Sequence, residues 1–210
     1  MTDFTQADWI FEPKNHEVNQ DRVVIVTDPE TDFWQRSYYG FRNDNAPGLL
    51  LETSENFSFT VKVAFQYQAQ FDQCGVLVYL DSDNWFKASI EYENDHFSRL
   101  GSVVTNLGYS DWATTDIELP DAIWYRLSRR GPDFLIESSL DGVNFKQMRI
   151  FHLHKLGETT PQMGRCAPPM ATSTPVRFGL YACSPLNSSF KAEFTEMQLG
   201  PSVWQAHTAE

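Results

Sequence analysis

This chain of 210 residues has few cysteines, few basic residues and no long apolar run. Three cysteines without a CxxC pair are too few for a disulfide-stabilised scaffold, and they predict free thiols in a reducing cytoplasm. Sixteen Lys and Arg against 28 Asp and Glu give a formal net charge of −12, which argues against a nucleic-acid partner because such proteins neutralise phosphates. No apolar stretch approaches the roughly 20 residues of a membrane-spanning helix, so we expect no membrane partner.

The sequence also lacks the common signatures of catalysis and of secretion. The first residues form neither a basic segment nor an apolar one, which favours a cytoplasmic location over secretion. There is no Gly-x-Ser-x-Gly elbow, no glycine-rich phosphate loop and no EF-hand spacing. His152 and His154 would share one face of a strand, as two zinc ligands do, but no third ligand is evident nearby. We therefore expect no cofactor and no metal.

The most prominent features of the sequence are its many aromatic residues and an alternation of apolar and polar residues with a period of two. Phe, Tyr and Trp make up 14% of the chain, which is too many for a disordered protein. Apolar residues occupy the odd positions from 57 to 67, as in a long half-buried strand. Further strands are predicted at 22–27, 49–52, 74–80, 84–92, 99–106, 123–130, 134–140, 143–151, 176–182 and 190–194. The pattern predicts an all-β sandwich of antiparallel sheets, formed by residues 1–210 as a single domain.

Two connections between these strands carry specific predictions. Asp141 and Gly142 form a dipeptide typical of a two-residue hairpin loop. Residues 156–175 contain four prolines and form an unusually long loop for a compact fold. This loop is either an ordered excursion that caps the sandwich or a lid that forms the wall of a groove.

The alternation leaves several tryptophans outside the predicted core. On one strand Phe86 and Ala88 would face inward, whereas Trp85 would face outward among charged residues. Outward indoles beside charges suit a sugar or peptide ligand, because the ring offers apolar area and the charges offer directional hydrogen bonds. The alternative is that the 156–175 loop or the N-terminal segment covers them. The candidate ligand-binding residues are Trp85, Lys87, Glu91, Asp111, Trp112, Trp124 and Arg126.

Paired carboxylates raise a catalytic alternative. Glu91 and Glu93 would project from the same face of a strand about 7 Å apart. Glycoside hydrolases use two carboxyl groups at roughly 5–9.5 Å, so Glu91 with Glu93 or Asp111 is the corresponding pair here. Any Glu-x-Glu on a strand gives this spacing, and a solvated sheet face is the simpler interpretation.

An ordered set of motifs resembles the regulation-of-enolase family, over nearly the whole chain from about Trp9 to Pro201. Within it, the pattern Trp-x-Lys…Glu falls on Trp85, Lys87 and Glu91. The motifs are DNWFKASIE (83–91), GSVVT (101–105), SDW (110–112, placed in a loop), WYRLSRRG (124–131), SLDG (139–142) and GLYACSP (179–185).

This resemblance implies a concanavalin A-like jelly roll with one concave sheet, in a stand-alone cytoplasmic protein without established catalytic residues. Three functions follow as hypotheses. The first is a non-catalytic protein that binds a carbohydrate-like ligand or small metabolite in a groove on the concave face. The second is a regulator that binds a metabolic enzyme such as enolase. The third is a glycan-active hydrolase.

Overall fold

The computed structural model describes residues 1–159 and 173–205, and this part of the chain is almost entirely β-structure. One 3₁₀ turn, His154–Leu156, is the only helical element in it, and no helix in it is long and apolar enough to cross a membrane. The strands are β1 (Asp8–Ile10), β2 (Asn15–Val18), β3 (Arg22–Val26), β4 (Phe33–Gln35), β5 (Arg42–Asp44), β6 (Gly48–Thr53), β7 (Phe57–Phe65), β8 (Gln73–Asp81), β9 (Asn84–Asn94), β10 (Phe97–Asn106), β11 (Tyr109–Ile117), β12 (Ala122–Arg130), β13 (Asp133–Ser139), β14 (Lys146–His152), β15 (Val176–Cys183) and β16 (Lys191–Pro201).

Two seven-stranded antiparallel sheets form the sandwich, as the alternation predicted. The first sheet has the order β1-β6-β15-β8-β9-β10-β11, and the second has the order β14-β13-β12-β7-β16-β3-β2. Strands β4 and β5 pair only with each other. Successive strand residues point to opposite sides of each sheet. The sandwich therefore has one interior and two outer faces.

The interior is the main hydrophobic core, and it holds the residues that the alternation placed inward. Phe86 and Ala88 of β9 are fully buried there, in one cluster with residues of β7 and β12 from the other sheet. Aromatic rings join the two sheets, since Phe57 stacks on Phe178 with centroids 4.1 Å apart and Phe86 stacks on Phe151 at 3.8 Å. The inward side predicted for Phe86, Ala88 and Ile90 of β9 is thus confirmed, whereas Tyr92, predicted on the same side, lies outside the core.

Two local predictions were wrong. Residues 110–112 do not lie in a loop, because β11 continues through them as the edge strand of the first sheet. This strand is exposed along most of its length, so it shows no apolar alternation. The turn at Asp141 is a six-residue loop, 140–145, rather than a two-residue one. The Asp141 carboxylate stabilises this longer loop, because it accepts hydrogen bonds from the backbone N–H groups of Val143 and Asn144.

A short hairpin covers part of the outer face of the first sheet. Residues 31–46, which contain β4 and β5 and are named the cover hairpin below, form a second hydrophobic cluster with that face. Phe33 lies at its centre, with ring centroids 5.4 Å from Trp85 and 5.9 Å from Tyr79.

Of the predicted 156–175 loop, residues 160–172 lie outside the described part. Leu156 packs into the main core.

Candidate functional site

A cavity of about 510 Å³ opens on the outer face of the first sheet, beside the cover hairpin. Strands β9, β10 and β11 form its floor and one rim, while the cover hairpin and the loops near Phe71 and Leu186 form the other walls. This volume is within the range of small-molecule sites, about 300–1,000 Å³. The lining residues are Asp32, Trp34, Tyr39, Phe41, Asn43, Phe71, Gln73, Lys87, Ser89, Glu91, Glu93, Arg99, Gly101, Ser102, Val103, Trp112, Pro185 and Leu186.

Two ion pairs fix the positions of four charged side chains on the floor and walls of the cavity. Lys87 Nζ lies 3.0 Å from Asp32 Oδ1, and their side chains are only 5% and 14% exposed. Burial of Lys87 opposes its charged form, but the negative charges of Asp32 and Glu91 outweigh this effect and raise the Lys87 pKa. This pair ties the cover hairpin to the sheet. Arg99 Nε lies 2.5 Å from Glu93 Oε1.

Glu91 differs from the other charged residues of the floor. Gln73 Nε2 donates a hydrogen bond to its carboxylate at 2.9 Å. Among the described residues, no cation lies within ion-pair distance of Glu91. Burial is the main reason that the pKa of Glu91 is raised to about 7, with Lys87 opposing the shift. Glu91 is therefore a carboxyl group that changes charge near neutral pH.

Aromatic side chains border the cavity on two sides. Tyr39 and Phe41 of the cover hairpin stack with centroids 5.3 Å apart and are about half exposed. Trp112 stands on β11 across the floor and is 37% exposed. Its indole rests over Gly101, where an added Cβ would lie only 3.0 Å from Trp112 Nε1. The small residue lets the ring lie against the sheet.

Trp85 is buried and does not lie on an open face. Its side chain does point away from the main core, as the alternation predicted, but it is fully buried in the second cluster. Its Nε1 donates a hydrogen bond to the Ser82 carbonyl at 3.2 Å. The cover comes from residues 31–46, whereas the expected covers were the 156–175 loop or the N-terminal segment. Trp85 therefore packs under the cover hairpin and does not line the cavity.

Trp124 and Arg126 lie on the other outer face of the sandwich. Strand β12 belongs to the second sheet, so Trp85 and Trp124 do not face each other across one groove. Trp124 Nε1 donates to Glu196, and Lys62 Nζ lies 4.6 Å from the ring centroid. The expectation of a shared groove was wrong because alternation gives the side of a strand but not the sheet to which that strand belongs.

Arg126 is already paired on that face, because it makes a bidentate contact with Glu137 at 2.7 and 2.8 Å. Asp111 also points away from the cavity. It neighbours Trp112 on β11, so it projects from the opposite side of the strand, where it pairs with Arg149 of β14. Of the seven candidate residues, Lys87, Glu91 and Trp112 line the cavity, and the other four do not.

Most of the walls of the cavity could not be predicted from the sequence. Tyr39 and Phe41 belong to a segment without alternation, although its dense aromatics beside Gly40 were a usable signal. The role of Asp32 could not be predicted from local sequence, because its partner Lys87 is 55 residues away in the chain. Within the described residues, no group of three His, Cys, Asp or Glu side chains is placed to hold a metal ion.

Comparisons with known proteins identify a family and several relatives that are similar to this chain. The family model described as "Protein of unknown function (DUF1349)" matches residues 9–202. "Regulation of enolase protein 1" of Saccharomyces cerevisiae is 31% identical over 207 residues, 98% of this chain and 94% of that protein. A crystal structure of a functionally unknown protein from Saccharomyces cerevisiae has a TM-score of 0.80 at 29% identity, covering 97% of this chain and 100% of that one.

The GH43 protein BlXynB from Bacillus licheniformis shares the sandwich with a TM-score of 0.63 at 13% identity. The match covers 90% of this chain and 35% of that one. Such a likeness shows the fold alone, and it bears out the expected concanavalin A-like architecture.

Proposed function

The chain belongs to the DUF1349 family and resembles the yeast regulation of enolase protein, and we propose that it is a non-catalytic binding protein. Its ligand is a carbohydrate-like molecule or a small metabolite held in the cavity on the outer face of the first sheet. The observation that carries this proposal is a 510 Å³ cavity with aromatic rings on two sides and a polar floor. The free thiols of Cys74 and Cys183 suit the cytoplasm.

The chemistry of the lining suits a polyhydroxylated ring. The faces of Trp112, Tyr39 and Phe41 offer flat apolar area against which the C–H face of a sugar packs. The hydroxyl groups at the ring edge would meet Ser89 and Glu91 on the floor. A few convergent polar groups within aromatic walls are the usual composition of a small-molecule site.

A thermal-shift screen of glycans and metabolites tests the proposal, followed by calorimetry on any hit. Ligand at 100 times its Kd stabilises the folded protein by about 2.7 kcal/mol, or about 5–10 °C in Tm. Trp112→Ala should weaken binding at least about tenfold, the equivalent of about 1.4 kcal/mol. Trp124→Ala is the matched control, since it removes an indole from the opposite face. Equal loss of affinity in both variants would argue against this cavity as the site.

A protein partner is the second candidate, and the exposed aromatic tip of the cover hairpin favours it. Tyr38 is 95% exposed, and its ring lies 4.9 Å from that of Tyr39. The name of the yeast relative points to enolase as the first partner to test. Co-precipitation of enolase that is lost in Tyr38→Ala but retained in Trp124→Ala would support a docking role. Absence of co-precipitation with the unaltered chain would count against it.

The hydrolase alternative has weaker support. Glu91 has the raised pKa of a general acid, but a second, free carboxylate is also needed. Asp32 and Glu93 are each held by a cation, and Asp111 lies on the other side of its strand. Release of reducing sugar from glycan substrates, lost in Glu91→Gln, would instead favour an enzyme.

A further inference from the structure

The charges that line the cavity do not cancel. Asp32 pairs with Lys87, and Glu93 pairs with Arg99. Glu91 is left over, with only the Gln73 amide as a hydrogen-bond partner among the described residues. With all five groups ionised, the cavity carries one net negative charge, and this charge lies on Glu91.

The surroundings of Glu91 also favour a cation. The lining includes the rings of Trp34, Tyr39, Phe41 and Trp112. Aromatic faces carry the negative part of the ring quadrupole and attract ammonium groups within about 6 Å of the ring centroid. An unpaired carboxylate in a cavity lined by aromatic rings is therefore suited to an ammonium ion, because the carboxylate and the ring faces both attract positive charge.

Building on the binding role proposed above, we propose that the cavity selects a carbohydrate that carries a protonated amino group, which pairs with the Glu91 carboxylate. A neutral sugar of the same shape provides only hydrogen bonds, and an N-acetylated sugar has lost the charge. Hydrogen bonds between oppositely charged groups are roughly twice as strong as those between neutral groups. The difference is enough to separate the two kinds of sugar.

The same arrangement makes binding depend on pH. The groups that face Glu91 are Lys87 and Glu93 on its own strand, Arg99 on β10 and Asp32 on the cover hairpin. The pKa values of Lys87 and Arg99 are raised, so both remain protonated near neutrality. Glu91, with a pKa raised to about 7, is the group that titrates. Affinity for an amine should increase from pH 5.5 to 7, with release of a proton from Glu91.

Three disaccharides with the same β-1,4 backbone test this selectivity by calorimetry: cellobiose, di-N-acetylchitobiose and the unacetylated glucosamine dimer. At pH 7 the glucosamine dimer should bind at least about tenfold more tightly than the other two. Glu91→Gln should bring its affinity to within about threefold of that for cellobiose. Glu196→Gln, which changes a carboxylate on the opposite face, is the control and should leave all three affinities unchanged.

The outcomes separate this proposal from the general binding role. Equal affinity of the unaltered protein for cellobiose and the glucosamine dimer would refute amine selectivity and leave carbohydrate binding in place. Failure of all three to bind at 10 mM would overturn both for this class of sugar. If Glu91→Gln does not fold, the pH dependence of binding by the unaltered protein still tests the role of Glu91. Its preference for the glucosamine dimer must rise between pH 5.5 and 7, and a constant preference contradicts the role of Glu91.

Discussion

The ion pair between Lys87 and Asp32 is expected to hold the cover hairpin on the first sheet, and Lys87→Met tests this. Methionine keeps the apolar stem of the side chain but leaves the Asp32 carboxylate without its cation. Both side chains are almost fully buried, at 5% and 14% exposure. Removing one member of a buried pair costs about 3–5 kcal/mol. The slight exposure of Asp32 puts the expected loss at the lower end, about 3 kcal/mol.

The free energy of unfolding can be measured by urea titration with tryptophan fluorescence. A loss of about 3 kcal/mol corresponds to a fall in Tm of about 6–12 °C for a chain of this size. The double variant Lys87→Met with Asp32→Asn removes both charges and should recover most of the loss. Lys62→Met is the matched control, since Lys62 pairs with Glu196 at 3.4 Å on an exposed face. Its cost should stay below about 1 kcal/mol.

A loss below about 1 kcal/mol for Lys87→Met would refute the reasoning, because it would show that the buried carboxylate does not need its partner. A double variant as unstable as the sum of the two single variants would also contradict it, since the two residues would then act independently.

Two further predictions concern burial. Trp85→Ala should lower the free energy of unfolding by about 3–5 kcal/mol, because the ring is fully buried; a loss below 1 kcal/mol would mean that the second hydrophobic cluster is not formed. Glu91 has a pKa of about 7 against an ordinary value of 4.5, so the folded state binds the extra proton between these values and stability falls as pH rises through them. In urea titrations at pH 5 and pH 8, Glu91→Gln should lack this decline of up to about 3 kcal/mol, whereas identical pH profiles would contradict the raised pKa.

The sequence predicted the strands that face the interior more reliably than those at the edges. Strand β9 shows why, since Phe86 and Ala88 alternate with polar residues and their inward side follows from the period of two. Strand β11 escaped prediction because its outward residues and most of its inward residues are exposed, which leaves no apolar alternation. At residues 140–145 the hydrogen bonds of the Asp141 side chain decided the length of the loop.

The candidate site was predicted only in part, for a related reason. Lys87 and Glu91 alternate away from the main core, so their side of the strand could be inferred from local sequence. Trp124 satisfies the same rule on a strand of the other sheet. Nothing local distinguishes the two cases, because membership of a sheet depends on pairing between strands far apart in the chain.

The sequence alone determined the all-β class, the family resemblance and the inward side of the main strands. Alternation and motif order are properties of neighbouring residues, so they can be read without coordinates. Only the tertiary structure decided that residues 31–46 bury Trp85 while Glu91 stays in an open cavity. That outcome depends on contacts across the chain, such as the one from Lys87 to Asp32. Long-range packing determines which part of a polar face is covered and which part is left open to a ligand.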